Sequence, residues 1–157
     1  MNWNRAIDWI WHVRGSVPLA HRSAQAAFEA LAPVFEERGT TLDHGTDTLV
    51  FHKDNPDAQD RLASFEQGVL RIEDTPDGPV LRYDLTSHPL LWCFVAPAPF
   101  AALAFAVQSL RIQGYSFAGI FAALYLAGRW IEHRNARRVF GERLAGPGAI
   151  PAETAPA

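Results

Sequence analysis

Along the first 88 residues, apolar positions come in short periodic groups separated by charges. From Pro89 to Val107 that rhythm stops, and 19 consecutive residues carry no charge and no strongly polar side chain. At ~1.5 Å per helical residue such a run approaches the ~30 Å hydrocarbon layer of a bilayer. A helix on a soluble core keeps a polar stripe. Here Leu90, Leu91, Phe94, Phe100, Leu103, Phe105 and Val107 point all round the axis. Pro97 and Pro99 lie inside the run, where a membrane helix tolerates them as a kink. A second apolar run, 112–128, is shorter and includes Gln113. Only Arg111 to Gly114 separates the two, so two helices would have to run antiparallel, and the pattern predicts a transmembrane hairpin. The competing reading is one span followed by a surface helix.

Small residues recur every four positions on both runs: Ala98, Ala102 and Ala106 on the first, Gly119, Ala123 and Ala127 on the second. Such rows let helix backbones approach closely in lipid, and they are the expected helix–helix contact. Trp3, Trp11, Trp92 and Trp130 are expected at the membrane interface, with Arg129 snorkelling to the headgroups.

Ahead of the apolar runs the periods are those of a small water-soluble unit. Trp3, Ala6, Ile7, Ile10 and Trp11 fall at helical spacing over 1–14, an amphipathic helix for the membrane surface or for its own domain. Residues 15–19 suit a short strand. Ser23 suits the N-cap of a helix running to about Arg38 with Gly39 as its stop, buried through Ala24, Ala27, Phe28, Leu31 and Phe35, with Pro33 kinking its last turn. Residues 40–54 read as a hairpin turning on Gly45-Thr46, which opposes Leu42 to Leu49 and His44 to Asp47. Residues 55–62 read as a loop or single helical turn. Strands are expected near 63–73 and 80–86. Two registers keep Leu70, Ile72, Leu81 and Tyr83 on one face. The one that sets Arg71 against Asp84 and Glu73 against Arg82 is preferred, because opposite charges stabilise and like charges repel across strands. It leaves a four-residue tip, Pro76-Asp77-Gly78-Pro79.

Charge divides the chain at the same place. Residues 1–88 carry 8 Lys and Arg against 14 Asp and Glu, and residues 89–157 carry 6 Arg against 3 Glu. Arg129, Arg134, Arg137, Arg138 and Arg143 follow the second run, whereas the link holds only Arg111. Positive charge marks the cytoplasmic side, so both termini are expected in the cytoplasm of a bacterial inner membrane. The acidic first half argues against nucleic acid as a partner.

Chemistry is sparse. Cys93 is the single cysteine, and no phosphate loop, dinucleotide fingerprint, nucleophile elbow or zinc motif is present. Asp43, His44, Asp47 and His52 share a hairpin and could in principle meet a metal, but His44 and Asp47 flank a turn, where polar residues are expected anyway, and His52 is expected on the other face from His44. Asp8 and His12 have the spacing of an i, i+4 surface pair, and His88 stands at the membrane entrance. No Asp, Glu, Lys or His lies deep in either apolar run, so a channel or transporter acting alone is not expected.

The expectation is therefore an α+β fold. An amphipathic helix (1–14) leads into a small helix-plus-antiparallel-sheet cytoplasmic domain (15–87). A transmembrane helical hairpin with a basic extension (88–140) and a disordered tail (141–157) follow. Neither catalytic, cofactor nor metal residues are assigned. The expected function is a non-enzymatic accessory or assembly subunit whose domain binds a partner protein or a second copy, with membrane lipids around the hairpin. The alternative is a membrane-anchored binder or sensor of a lipid or small ligand, held between helix and sheet.

Overall fold

The structure is a computed structural model that describes residues 7–19, 23–36, 39–54 and 62–145. Trp3, most of the loop expected over 55–62, and residues 146–157 of the expected tail lie outside the described residues. The fold is α+β. Its elements are β1 (His12–Pro18), α1 (Ala24–Phe35), β2 (Thr40–His44), β3 (Thr48–Lys53), β4 (Gln67–Thr75), β5 (Gly78–Thr86), α2 (His88–Val95), α3 (Pro97–Ala106), a 3-10 turn (Gln108–Leu110) and α4 (Arg111–Ala145).

The five strands form one antiparallel sheet in the order β1-β5-β4-β3-β2. Strands β2 to β5 are a meander, and β1 closes the far edge on β5, pairing Val13 with Leu85 and Val17 with Leu81. Period-two alternation sends Val13, Val17, Leu49, Phe51, Leu70, Leu81, Tyr83 and Leu85 to one face, where all are buried. Helix α1 lays Ala27, Phe28, Leu31, Val34 and Phe35 on that face. Phe35 meets Phe51 with ring centroids 4.7 Å apart. Ser23 caps α1, accepting a hydrogen bond from the Ala26 amide at 3.3 Å. The helix carries Pro33 in its last turn and ends at Phe35, short of the expected Arg38.

The predicted helix over 1–14 is corrected in its second half. Residues 12–18 are strand, because Val13 and Val17 alternate into the core as strand partners of Leu85 and Leu81. Two strand registers also differ from expectation, each by two residues. In the first hairpin His44 pairs with Leu49 and Leu42 with Phe51. The loop is thus Gly45–Thr48, closed by the Gly45 amide on the Thr48 carbonyl at 2.7 Å. In the second hairpin Arg71 stands opposite Arg82, and Thr75 opposite Gly78. Pro76 and Asp77 form a tighter turn than expected, with Gly78 at φ +114, where glycine alone is unstrained. Arg82 nevertheless reaches Glu73 diagonally at 2.8 Å, which offsets the like-charge pairing.

The division expected at 87/88 is not a packing boundary. Helix α4 runs 35 residues without interruption. Its C-terminal half buries Ala136, Val139, Phe140 and Leu144 in the same core as the sheet, joined by Leu90 and Tyr125. Tyr83 and Phe140 lie 5.1 Å apart, centroid to centroid. The space between helices and sheet is thus filled by aromatic and leucine side chains. The basic extension expected to end near 140 is in part a core helix, because Ala136, Val139 and Phe140 recur at helical spacing on the face opposite Arg134 and Arg138.

Candidate membrane-anchoring site

Helices α2 and α3 form one nearly continuous rod. Ser87 caps its start, accepting from the Leu90 amide at 3.4 Å. The Ala96 amide still donates to the Trp92 carbonyl at 2.9 Å, so Pro97 interrupts the rod without ending it. The rod folds back antiparallel on the first half of α4. Phe94 packs edge-on against Tyr125 at 5.3 Å, and Phe100 stacks on Phe117 and Phe121 at 5.6 and 5.3 Å. At the tip Gly114 sits buried against Ala104 and the Phe100 backbone.

This seam is not the expected one. Ala98, Ala102, Ala106, Gly119, Ala123 and Ala127 are all exposed. A Cβ placed on Gly119 would meet nothing within 4 Å. The large side chains at the seam interlock as aromatic pairs, which turns the alanine rows outward. Sequence spacing located small residues on each helix but could not say which face the aromatic contacts would claim.

Elsewhere the surface of the hairpin is apolar. Trp92, Phe94, Val95, Leu103, Phe105, Ile112, Phe117, Ile120, Leu124 and Leu126 are exposed. His88–Ala106 is the one stretch among the described residues long and apolar enough to cross a membrane, and only 11 % of it is buried within the chain. Residues 112–128 do not meet that measure alone; they are the first half of α4.

The junction between hairpin and sheet is polar and built by α4. Arg129 does not snorkel free. Its guanidinium donates to the carbonyls of Ile10 (3.5 Å) and His12 (3.2 Å) and lies 3.9 Å over the Trp9 ring. Tyr125 donates to the same Ile10 carbonyl at 3.0 Å. Together they pin the turn that leads into β1. Trp11 is half-buried beside His12, whereas Trp92 and Trp130 are 70 % and 63 % exposed at this end of the hairpin. One turn further, burial pushes the Glu132 carboxyl from 4.5 up to about 7. Hydrogen bonds from Ser64 and Ser87 and the charge of Arg129 oppose that rise, and nearby Glu66 adds to it. Glu66 is itself held by the His88 ring at 3.0 Å and the His88 amide at 3.1 Å.

The other expected polar residues are placed as follows. His12 pairs with Asp84 across β1 and β5 instead of with Asp8, and Arg14 joins the same carboxylate at 2.6 Å. These lie on the sheet face away from the helices, beside Val69, Arg71, Glu73 and Arg82, in an open groove. His52 pairs with Asp54 at 3.1 Å. Among the described residues no group of three or more His, Cys, Asp and Glu could hold a metal ion. Glu132 and Glu66 escaped the sequence reading, since nothing in their spacing shows that distant segments close over them. No family model, curated protein or solved structure matches this chain, and the arrangement itself carries the functional argument.

Proposed function

We propose that this chain is an integral membrane protein of non-enzymatic, accessory type. In this reading the hairpin crosses the bilayer, and α4 carries the sheet domain rigidly against one membrane face, where the open sheet face receives a partner protein. The observation that carries the reading is the distribution of apolar surface. The sheet domain closes its core, while the hairpin exposes bulky apolar side chains all round, with Phe105 at 80 % and Ile112 at 81 % exposure. Water does not tolerate so large a continuous patch, and lipid does.

Helix α4 supports a two-span crossing over a single span. Its residues 136–144 are core partners of the sheet that precedes α2. If α2–α3 crossed alone, those residues would be stranded on the opposite side from the sheet. Both rods cross, or neither does. The His88–Ala106 rod is ~28 Å long at ~1.5 Å per residue, close to the hydrocarbon thickness. Arg129, Arg134, Arg137, Arg138 and Arg143 lie at the domain end and Arg111 alone at the tip, which supports a cytoplasmic domain in a bacterial inner membrane.

Alkaline extraction of membranes and a periplasm-active reporter test this reading. The full chain should stay in the membrane pellet. A reporter placed between Gln108 and Arg111 should be active, and one after Ala145 silent. Release of the chain into the supernatant, or a silent tip reporter, would overturn the crossing. Co-purifying chains after mild detergent extraction test the accessory role, and a clean monomer at every concentration would refute it.

A further inference from the structure

We infer that the outward face of α4 just beyond the hairpin, Trp130–Arg134–Arg138, is a binding site for the phosphate of an anionic phospholipid headgroup; this rests on the membrane reading above. The three residues recur at i, i+4 and i+8 and form one ridge. With Ile131 and Asn135 they line a groove of about 170 Å³. The opposite face of the same turns is fixed in the core through Ala136, Val139 and Phe140, so the ridge cannot rotate toward the domain.

The position suits a headgroup. Gly128 faces Leu90 at the domain end of the hairpin, where a Cβ on the glycine would stand 3.8 Å from Leu90 Cδ2. Trp130 follows at once, 63 % exposed, with the amphipathic ring that settles at a bilayer interface. At ~1.5 Å per residue Arg134 stands ~6 Å and Arg138 ~12 Å beyond it. The headgroup layer is roughly 5–7 Å deep on each side. Helical side chains lean toward the N-terminus of their helix, and here that is back toward the bilayer. The Arg134 guanidinium already lies 5.5 Å over the Trp130 ring. Arg138 donates to Asn135 Oδ1 at 3.1 Å and reaches Glu142 only at 4.0 Å, an exposed pair that holds it weakly. Two planar guanidinium forks above an apolar floor of Trp130 and Ile131 match a phosphate set over the start of acyl chains. The remainder of the domain is acidic, so attraction to an anionic leaflet has to come from such a local patch.

The test uses the full chain inserted in vesicles of phosphatidylcholine alone or mixed with phosphatidylglycerol, then released for native mass spectrometry of retained lipid. Wild type should retain phosphatidylglycerol over phosphatidylcholine by roughly tenfold or more. Arg134→Gln/Arg138→Gln should reduce that ratio to near one while still inserting in phosphatidylcholine. Arg137→Gln/Arg143→Gln, with the same charge change on other faces, should keep it. Equal loss in both double variants would overturn the site in favour of diffuse attraction, as would no preference in wild type. Displacement by soluble glycerol phosphate would make it a free-phosphate site and also overturn the proposal. Failure to insert even in phosphatidylcholine would bring down the membrane reading itself, and the lipid site with it.

Discussion

Gly114 and Ala104 meet at the tip of the hairpin so closely that a methyl on the glycine would stand 2.6 Å from the alanine Cβ and 2.8 Å from the Phe100 carbonyl oxygen. The oxygen is backbone and cannot swing aside. Gly114→Ala should therefore destabilise the hairpin by about 1–3 kcal/mol, the range for overpacking a filled contact. Gly119→Ala, at an open position, should be neutral or stabilise by up to about 1 kcal/mol through reduced backbone entropy. Thermal unfolding in detergent compares the two. The opposite order of melting temperatures would mean that the alanine rows, and not the aromatic pairs, form the seam.

Arg129 joins α4 to the turn before β1 through the Ile10 and His12 carbonyls. Replacing it with Gln should cost about 2 kcal/mol locally, as expected for hydrogen bonds from a charged donor. Hydrogen exchange of the His12–Val17 amides should accelerate, with the centre of the sheet little changed. Unaltered protection of β1 would show that the contact contributes nothing.

Glu132 makes stability depend on pH. Its folded carboxyl titrates at about 7 against 4.5 for the free group, chiefly through burial. Below pH 4.5 both folded and unfolded forms hold the proton, and the group has no effect. Between 4.5 and about 7 the unfolded chain releases a proton that the folded chain retains, so stability falls as pH rises. Above that window the loss is complete and flat. Glu132→Gln should remove this slope. Denaturant midpoints measured across the window check it; a wild type whose stability rises with pH there, or a variant with an unchanged slope, would contradict the assignment.

Arg71 faces Arg82 across β4 and β5. Arg71→Glu turns a like-charged pair into an opposite one and should stabilise the protein by roughly 0.2–1 kcal/mol. In the register two residues away the new carboxylate would face Asp84 and destabilise. The sign of the shift in melting temperature therefore reports the register directly.

The α+β class, most of the order of elements, the Ser23 cap and the shared face of Leu70, Ile72, Leu81 and Tyr83 were legible from the sequence. Period-two and period-3.6 patterns state which side of an element is apolar, and caps are local chemistry. Both hairpin registers were missed by two residues, because a two-residue slip leaves every side chain on its face. The choice fell to the turns: Gly78 at positive φ closed one tightly, and the Gly45–Thr48 contact opened the other.

Amphipathic spacing over 1–14 was equally real, yet residues 12–14 became strand once β5 offered Leu85 and Asp84 as partners. The apolar character of 88–106 belongs to the sequence alone, being a matter of composition over a length. Which faces of the two rods meet, why Arg129 clamps a distant turn, and why Glu132 holds its proton were decided by tertiary structure. The last two depend on segments more than forty residues apart closing on one another, and the seam on side chains 10 to 31 residues apart. Helical spacing proposes several faces for such closure, and only the packing of Phe94 on Tyr125 and of Phe100 on Phe117 and Phe121 selects among them.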